Sequence, residues 1–173
     1  MMKNTYFSRR KMRFFQWVAN TFFCGTHFYG IKRFLMKSAG IKVGKNVQIV
    51  GPFHFDAADI FIADDCWIGK NFEINGHGKV FLGERVGIAP NVRFYTGKHA
   101  MGPSYARHEG EGISTEIIIE KGVMVSADSI VIGSATIGAG TVVMVGSCVT
   151  KSFEENLMVG GVPAKVIKTI GEA

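Results

Sequence analysis

The chain has 173 residues, of which 47% are hydrophobic and 20% charged, a composition typical of one soluble domain with a sizeable core. No apolar run reaches the ~18 residues of a membrane-spanning helix, and we expect no signal peptide, because the basic start lacks an apolar core. The cysteines Cys24, Cys66 and Cys148 form no CxxC pair, so we expect a reducing, cytoplasmic compartment and neither a zinc site nor a redox motif.

The positive charge is concentrated near the N-terminus. Ten of the 20 Lys and Arg residues precede residue 46, and no Asp or Glu precedes Asp56. Residues 1–40 are rich in aromatic residues and have the apolar spacing of short helices. Two roles are open for this segment: it could cap the end of a repeat domain, or lie on an anionic membrane surface. Positive charge also suits nucleic acid, but no recognition motif is present and we expect no such partner.

From Ile41 the apolar residues recur at a six-residue step. In the uninterrupted block from Ile119, the first position of each hexad is β-branched and the fifth is small. The hexad starts are Val43, Ile49, Ile62, Ile68, Ile74, Leu82, Ile88, Ile119, Val125, Val131, Ile137, Val143 and Val149. Neither helical spacing nor simple strand alternation gives this period. It predicts a coil of very short strands joined by tight turns, in which each turn stacks on the one below.

The period stops between about Tyr95 and Glu116, just where His99 stands in the stretch FYTGKHAM. Long insertions in compact repeats are usually functional or disordered. Histidine titrates near neutral pH and can both accept and return a proton, so His99 is a candidate general base. The alternative is a solvated loop histidine without a chemical role.

The hexads resemble the [LIV]-G-x-x-[small]-x repeat of the hexapeptide-repeat acyltransferases. The stretches IGKNFEIN, GIAPNVRFYTGKHAM and VTKSFEENLMVGGVPAKVIK look more narrowly like the galactoside, maltose and nodulation-sugar O-acetyltransferases and related capsule and lipopolysaccharide enzymes. The resemblance covers about residues 41–167. It implies an all-β fold, a left-handed parallel β-helix with three hexads per coil, whose handedness the period alone does not give.

Three regions follow from the period and the resemblance together. They are a basic, aromatic helical segment at 1–40, a β-helix acetyltransferase domain at 41–167 with a loop insertion at about 95–116, and a tail at 168–173.

The resemblance also implies site residues. His99 falls on the family's catalytic histidine, and Asn75, the last residue of NFEIN, falls on an asparagine that contacts the acceptor; the alternative for Asn75 is a structural corner residue. Acetyl-CoA would be the acyl donor, transfer would be direct without an acyl-enzyme, and no metal would be required. Family members are homotrimers with the coenzyme between two coils. The implied coenzyme-binding residues are Ala127, Val145, Thr150, Lys151, Lys165 and Lys168.

Other residues of the insertion and the coil leave choices open. His77 and His108 could line the acceptor cleft, and Glu111 or Glu116 could orient His99. The lysines of the coenzyme set could instead serve only solubility. The donor wall departs from the family at Met124, where Trp is common, and at residues 143–146, where V-M-V-G stands for I-G-A-G.

The N-terminus lacks the helical domain pattern of the maltose and galactoside enzymes and resembles the polysaccharide-modifying relatives. We therefore expect transfer to a sugar hydroxyl of a surface polysaccharide (capsule or lipopolysaccharide) or of its lipid-linked precursor. The expected location is cytoplasmic, with peripheral contact at the inner face of the membrane. An acetyltransferase acting on an amine and a non-catalytic scaffold are the alternatives. A hexapeptide-fold carbonic anhydrase would need three zinc-ligand histidines, and the H-x-x-x-x-H pair of that family is missing.

Overall fold

The computed structural model describes residues 5–56 and 59–171. Two helices, α1 (Thr5–Phe22) and α2 (Tyr29–Ala39), precede the strands. The strands are, in chain order, β1 (Lys42–Val43), β2 (Gln48–Ile49), β3 (Phe53–Phe55), β4 (Asp59–Ile62), β5 (Trp67–Ile68), β6 (Phe72–Asn75), β7 (Lys79–Leu82), β8 (Gly87–Ile88), β9 (Arg93–Tyr95), β10 (Gly97–His99), β11 (Gly112–Ser114), β12 (Glu116–Ile119), β13 (Met124–Val125), β14 (Ile130–Ile132), β15 (Ala135–Ile137), β16 (Val142–Val143), β17 (Cys148–Val149), β18 (Leu157–Gly161) and β19 (Ala164–Thr169).

The strands form the three sides of a coil of about six turns. Sheet 1 has the order β1-β4-β7-β12-β15, sheet 2 the order β2-β5-β8-β13-β16-β18, and sheet 3 the order β3-β6-β9-β14-β17. All these pairings are parallel, and each strand pairs with its counterpart one coil further on, as Val43 opposite Ile62 and Ile62 opposite Leu82. At the C-terminal end β19 turns back antiparallel on β18. The short strands and tight turns are those that the six-residue period predicts.

The core is built from the hexad starts, all of which are buried. Phe55 and Phe94 occupy two further inward positions, each six residues after an aliphatic start. With Phe53 and Phe72 they form a phenylalanine stack along sheet 3, in which successive ring centroids lie 5.0, 5.6 and 5.0 Å apart. Burying one such ring contributes about 1.5–3 kcal/mol, so the stack is a large part of the core of the first three coils.

The corners of the coil repeat as regularly as its sides. The third residue after many hexad starts has a positive φ, in the left-handed region. These residues are Asn46, Asp65, Asn71, Arg85, Asn91, Gly122, Asp128, Gly140 and Gly146. Asn, Asp and Gly adopt this conformation at lower cost than other residues, which explains why most of the set is of these types. Side-chain hydrogen bonds then link one coil to the next, from Asn71 to Asn91 and from Asn91 to Asp128, each 2.9 Å.

The small fifth positions of the later hexads include three buried hydroxyl groups, the corner hydroxyls of Ser129, Thr141 and Ser147. Ser129 and Ser147 both donate to the carbonyl of Met144, at 3.0 and 2.6 Å, and Thr141 donates to the carbonyl of Glu154 at 2.8 Å. Because each hydroxyl is bonded to a backbone carbonyl, these polar groups are buried without an unpaired donor.

The two helices cover the N-terminal end of the coil, as the capping alternative predicts. The Gln16 side chain accepts from the N–H of Phe55 at 2.7 Å. The Asn20 side chain accepts from the N–H of Phe53 at 3.2 Å and donates to its carbonyl at 2.7 Å. These contacts satisfy the open edge of sheet 3 and fix α1 against it. Among residues 5–56 and 59–171, no helix is long and apolar enough to cross a membrane.

The cap contains a buried cation. The side chain of Lys32 on α2 donates to the carbonyl of Gly25 at 2.6 Å and lies 4.8 Å over the ring of Tyr29. Burial lowers the pKa of Lys32, because the charged form is removed from water.

The inserted loop leaves and rejoins the coil at one corner, between sheets 3 and 1. After β9, Thr96 donates its N–H to the carbonyl of Asn75 at 2.8 Å. The chain then forms the antiparallel hairpin β10–β11, with a 3-10 turn (Arg107–Glu109) at its outer end. It returns at Thr115, whose N–H donates to the carbonyl of Thr96 at 2.8 Å. We call this corner the loop corner, and the corner between sheets 2 and 3 the wall corner.

Candidate active site

A cleft of about 390 Å³ lies at the loop corner, between the coil and the base of the hairpin. Its lining residues are Asn75, Gly76, His77, Tyr95, Gly97, Lys98, His99, Gly112, Ile113 and Ser114. They come from the turn after β6, the end of β9 and both strands of the hairpin. The fold therefore brings together two residues, Asn75 and His99, that are 24 positions apart in the sequence.

His99 is exposed at the end of β10, opposite Gly112 on β11. Its Nδ1 lies 2.9 Å from the carbonyl oxygen of Gly110. A carbonyl oxygen can only accept, so Nδ1 must carry the hydrogen, and the neutral ring then has its lone pair on Nε2. The ring is thus oriented by a backbone carbonyl. This is the role for which the sequence suggested the carboxylate of Glu111 or Glu116.

Asn75 is held at the end of β6, opposite Tyr95. Its side-chain NH2 donates to a carboxylate oxygen of Glu73 at 3.4 Å. Its backbone carbonyl accepts from both the N–H and the hydroxyl of Thr96, at 2.8 and 3.1 Å. The same hydroxyl accepts from the N–H of Gly78 at 3.1 Å. Thr96 is fully buried, so it fixes the turn that carries Asn75 to the point where the hairpin begins.

Among the residues of this site that sequence reasoning missed are Tyr95, Thr96 and Lys98. The available signal was position: Tyr95 ends the last regular strand before the period breaks, Thr96 follows it, and Lys98 precedes His99 in the interrupted stretch. Of the two histidines suggested for the cleft, His77 lies in its lining, whereas His108 lies in the 3-10 turn and is not among the described lining residues.

The six residues implied for the coenzyme lie in three places. Ala127 and Val145 lie at the wall corner, where the carbonyl of Ala127 accepts from the N–H of Gly146 at 3.0 Å and the side chain of Val145 is exposed. In one chain the strands of sheet 3 separate this corner from the His99 cleft.

The remaining members of the set are exposed cations and a threonine. Thr150 and Lys151 follow β17 at the loop corner, and Lys151 lies 5.6 Å over the ring of Phe153. Lys165 and Lys168 are exposed on β19. These lysines place three accessible ammonium groups near the C-terminal end of the coil. Ammonium groups can form charge-assisted hydrogen bonds with phosphates such as those of a coenzyme.

The thiols do not resemble an activated nucleophile. Cys66 is buried and donates to the carbonyl of Gly83 at 3.0 Å. Burial raises the pKa of the Cys66 thiol, which disfavours the reactive thiolate. Cys24 is exposed and Cys148 half-buried. Within the described ranges, no group of three His, Cys, Asp or Glu side chains is arranged to hold a metal ion.

Several known proteins are similar to this chain. The galactoside O-acetyltransferase of Escherichia coli K12 is 31% identical over 139 residues, 80% of this chain and 68% of that protein. A protein of the same bacterium named as a colanic acid biosynthesis acetyltransferase, WcaF, is 30% identical over 141 residues, 81% of this chain and 75% of that protein. The galactoside O-acetyltransferase of Lactococcus lactis is 28% identical over 141 residues, 80% of this chain and 68% of that protein. No protein-family model matches the chain.

Solved structures give the same answer for the fold. A hexapeptide-repeat acetyltransferase of Vibrio cholerae, VCA0836, solved with acetyl coenzyme A, superposes with a TM-score of 0.84 over 95% of this chain and 88% of its own, at 24% identity. A galactoside acetyltransferase solved with coenzyme A gives a TM-score of 0.76 over 95% of this chain and 81% of its own, also at 24% identity.

The parallel coil and the similar solved structures together define the fold class. The protein is a left-handed parallel β-helix of hexapeptide repeats, so the predicted fold is confirmed. The chain belongs to the hexapeptide-repeat acetyltransferase family, in the branch of the galactoside and colanic acid enzymes. The prediction that it is an acyltransferase is confirmed with the family.

Proposed function

We propose that the protein transfers an acetyl group from acetyl-CoA to a sugar hydroxyl, with His99 as the general base. The observation that carries the proposal is the hydrogen bond from Nδ1 of His99 to the Gly110 carbonyl, which leaves Nε2 as a free acceptor in the cleft that Asn75 also lines. The relatives named as galactoside O-acetyltransferases support a sugar as the acceptor class.

The proposed reaction proceeds in two steps. Nε2 of His99 accepts the proton of the acceptor hydroxyl as the oxygen attacks the carbonyl carbon of the thioester, and a tetrahedral oxyanion forms. The C–S bond then breaks, and the imidazolium returns its proton to the leaving sulfur. The side chain of Asn75 can both donate to and accept from acceptor hydroxyls, which would orient the attacking oxygen. No acyl-enzyme is required, consistent with the burial of Cys66.

We also propose that the working form is a homotrimer with the donor between two chains. In one chain the wall corner, with Ala127 and Val145, is separated from His99 by the width of sheet 3. A second copy that presents its wall corner to this loop corner would complete the site. Thr150 and Lys151 would line the donor groove, and Lys165 and Lys168 would contact the phosphates of the coenzyme.

For the acceptor, we propose a surface polysaccharide or its precursor, acetylated on the cytoplasmic side of the membrane. The similarity to the protein named for colanic acid biosynthesis supports this substrate class. A glycan precursor that is assembled on a lipid lies at the inner membrane face. The basic N-terminal segment could bring the enzyme to this substrate by binding the same membrane surface.

Calorimetric titration of acetyl-CoA into the wild type and into Lys165→Ala would test the donor assignment. We expect saturable binding in the wild type, weakened several-fold in the variant because one charge-assisted phosphate contact is lost. The matched control is Lys79→Ala, which removes an exposed lysine from sheet 1. Absence of binding by the wild type would contradict the donor assignment and favour a scaffold.

The acceptor class needs a separate experiment. Pairs of sugars that differ only in a hydroxyl or an amine at one position would be offered with acetyl-CoA. Release of coenzyme A with the alcohols but not the amines is the expected result. Preference for the amines would indicate that the protein is an N-acetyltransferase, with the same histidine as the base, rather than an O-acetyltransferase.

A further inference from the structure

The two helices of the cap and their connection carry a set of aromatic side chains that the protein itself does not cover. Phe14, Trp17, Phe22, Phe28 and Phe34 are each 55–68% exposed, and we call them the aromatic face. On α1 the side that packs on the coil carries Met12, Gln16 and Ala19, which are buried. Phe14 and Trp17 are at other positions inside the helix, so their exposure follows from the helical spacing, and Phe22 is the last residue of α1.

This exposure is unusual for a solvent-facing helix. The rings of Phe14 and Trp17 have centroids 6.3 Å apart, and those of Trp17 and Phe22 5.9 Å apart. The rings therefore touch one another yet stay more than half open to water. Contiguous exposed apolar area, such as that of Phe14, Trp17 and Phe22, marks an interaction site in soluble proteins.

The charge around the aromatic face indicates what covers it. Lys11 and Arg13 on α1 and Lys37 on α2 are exposed, and no acidic residue precedes Asp56. Arg13 lies 3.5 Å from the half-buried Asp56. Because the Arg13 side chain is exposed, this pair contributes little, and the surroundings stay strongly basic. A second copy of this cap would bring the same positive charges together, whereas an anionic lipid surface neutralises them and accepts the aromatic rings at the level of its headgroups.

We infer that the aromatic face and its flanking cations dock the cap onto an anionic lipid bilayer, with the helices lying in the plane of the interface. Phe and Trp side chains would enter the boundary between headgroups and acyl chains, and Lys11, Arg13 and Lys37 would face the lipid phosphates.

Docking has a consequence for the acceptor, which rests on the proposed function. Gln16 and Asn20 fix α1 to β3 in the first coil, and Arg13 reaches Asp56 at the loop corner. The cleft lies at the same corner, on the second and third coils. Since coils are spaced by about 4.8 Å, the cleft begins only about 5–10 Å beyond the coil that holds the cap. A bilayer against the cap therefore presents lipid-linked saccharides, rather than free sugars, to His99.

Vesicle binding by the full chain tests the docking surface. The protein would be sedimented with vesicles of phosphatidylcholine alone and of equal parts phosphatidylcholine and phosphatidylglycerol. We expect binding to the anionic vesicles only, weakened at about 1 M salt because the charges are screened. Phe14→Ser combined with Trp17→Ser should lower the partition coefficient about tenfold or more, since two interfacial anchors are lost. In a Trp67→Phe background the fluorescence of Trp17 should shift to the blue on binding.

The matched control is Phe61→Ser, which removes an exposed aromatic ring from sheet 1 and should leave vesicle binding unchanged. Thermal unfolding of each variant checks that the cap is intact. Equal binding of the wild type and of the double variant, or no binding to anionic vesicles, would overturn the inference. So would sedimentation equilibrium showing that the double variant loses a self-association of the wild type, or binding to soluble acidic polymers that matches the binding to vesicles.

The consequence for the acceptor is tested with the sugar found in the acceptor screen, offered as a soluble methyl glycoside and as the same sugar on a polyprenyl diphosphate in anionic vesicles. The double variant should acetylate the soluble form at the wild-type rate and the lipid-linked form several-fold more slowly. Equal rates on the lipid-linked form would overturn the delivery role. If the wild type acetylated no sugar in the acceptor screen, the proposed function would be contradicted, and the vesicle-binding result would stand by itself.

Discussion

The coils before the hairpin differ from the coils after it, although both obey the same six-residue period. The first three coils are filled by the phenylalanine stack, and, among the described residues, their fifth hexad positions carry no buried hydroxyl group but apolar side chains such as Val47 and Val86. The later coils are filled by smaller β-branched residues, and their corners hold the corner hydroxyls. The hairpin with His99 leaves at the boundary between the two halves.

The two halves of the coil differ in a way that suits them to different roles, one in holding the donor and the other in holding the acceptor. The later half is a regular wall whose corner hydroxyls are bonded to backbone carbonyls. The earlier half is irregular: its turn at Gly76–Gly78 interrupts the period, and Asn75 and Thr96 shape the cleft there. A regular wall suits an extended donor, whereas an irregular corner can be shaped for one acceptor. The comparison predicts that chemistry depends on the boundary and stability on the cores of both halves.

Removing the histidine at the boundary should have the largest effect. His99→Ala should lower acetyl transfer by about 10²–10⁴-fold, the usual contribution of a positioned general base. The variant should still bind acetyl-CoA and unfold at the wild-type temperature, because the ring is exposed and makes one hydrogen bond. His108→Ala, in the same loop, is the control and should retain activity. Full transfer activity in His99→Ala would refute the mechanism.

Truncating the phenylalanine stack should be the most damaging change to the earlier half. Phe72→Ala leaves a cavity between Phe55 and Phe94 and should reduce the free energy of unfolding by about 3–5 kcal/mol. Phe81→Ala, on the outer surface of sheet 1, should cost no more than about 1.5 kcal/mol, mainly through lost stacking on Phe61. Chemical denaturation of both variants measures the contrast, and equal losses would show that the stack is not the main core of these coils.

A single methyl group should test how tightly the two halves are joined. A Cβ on Gly83 would lie 2.7 Å from the backbone nitrogen of Lys121 in the next coil, across the boundary. Gly83→Ala should therefore destabilise the protein by about 1–3 kcal/mol through overpacking. Gly87→Ala, where nothing lies within 4 Å, should be neutral or slightly stabilising. If both variants unfold at the same denaturant concentration, the coils can separate enough at Gly83 to accept the added methyl group.

The corner hydroxyls should contribute a smaller effect in the later half. The Thr141 hydroxyl donates to the Glu154 carbonyl and accepts from the N–H of Leu157 at 3.1 Å. Thr141→Val keeps the shape but leaves these groups unpaired, so we expect a loss of about 1–2 kcal/mol in unfolding free energy. Val142→Thr, at the half-buried neighbouring position, is the control and should change stability by less. A neutral Thr141→Val would mean that water replaces the hydroxyl.

The sequence was sufficient for the period, the position of the insertion and the histidine within it, because repeats and their interruptions are local patterns. It did not predict the phenylalanine stack, since Phe55 and Phe94 stand outside the aliphatic pattern and their contact with Phe72 needs three coils in register. It also missed the Gly110 carbonyl as the partner of His99, because that contact is created by the pairing of the hairpin. The domain boundaries and the roles of the implied site residues stay predictions.

The way in which the hairpin joins the coil has a consequence for how such a protein can change over time. Thr96 and Thr115 are hydrogen-bonded to each other, so the residues between them add nothing to the count of the repeat. Lengthening or replacing this segment would leave the register of every later coil intact. The part of the chain that carries the chemistry can therefore diverge independently of the part that keeps it folded, and a segment transplanted from a relative at these two threonines would arrive on an unchanged scaffold.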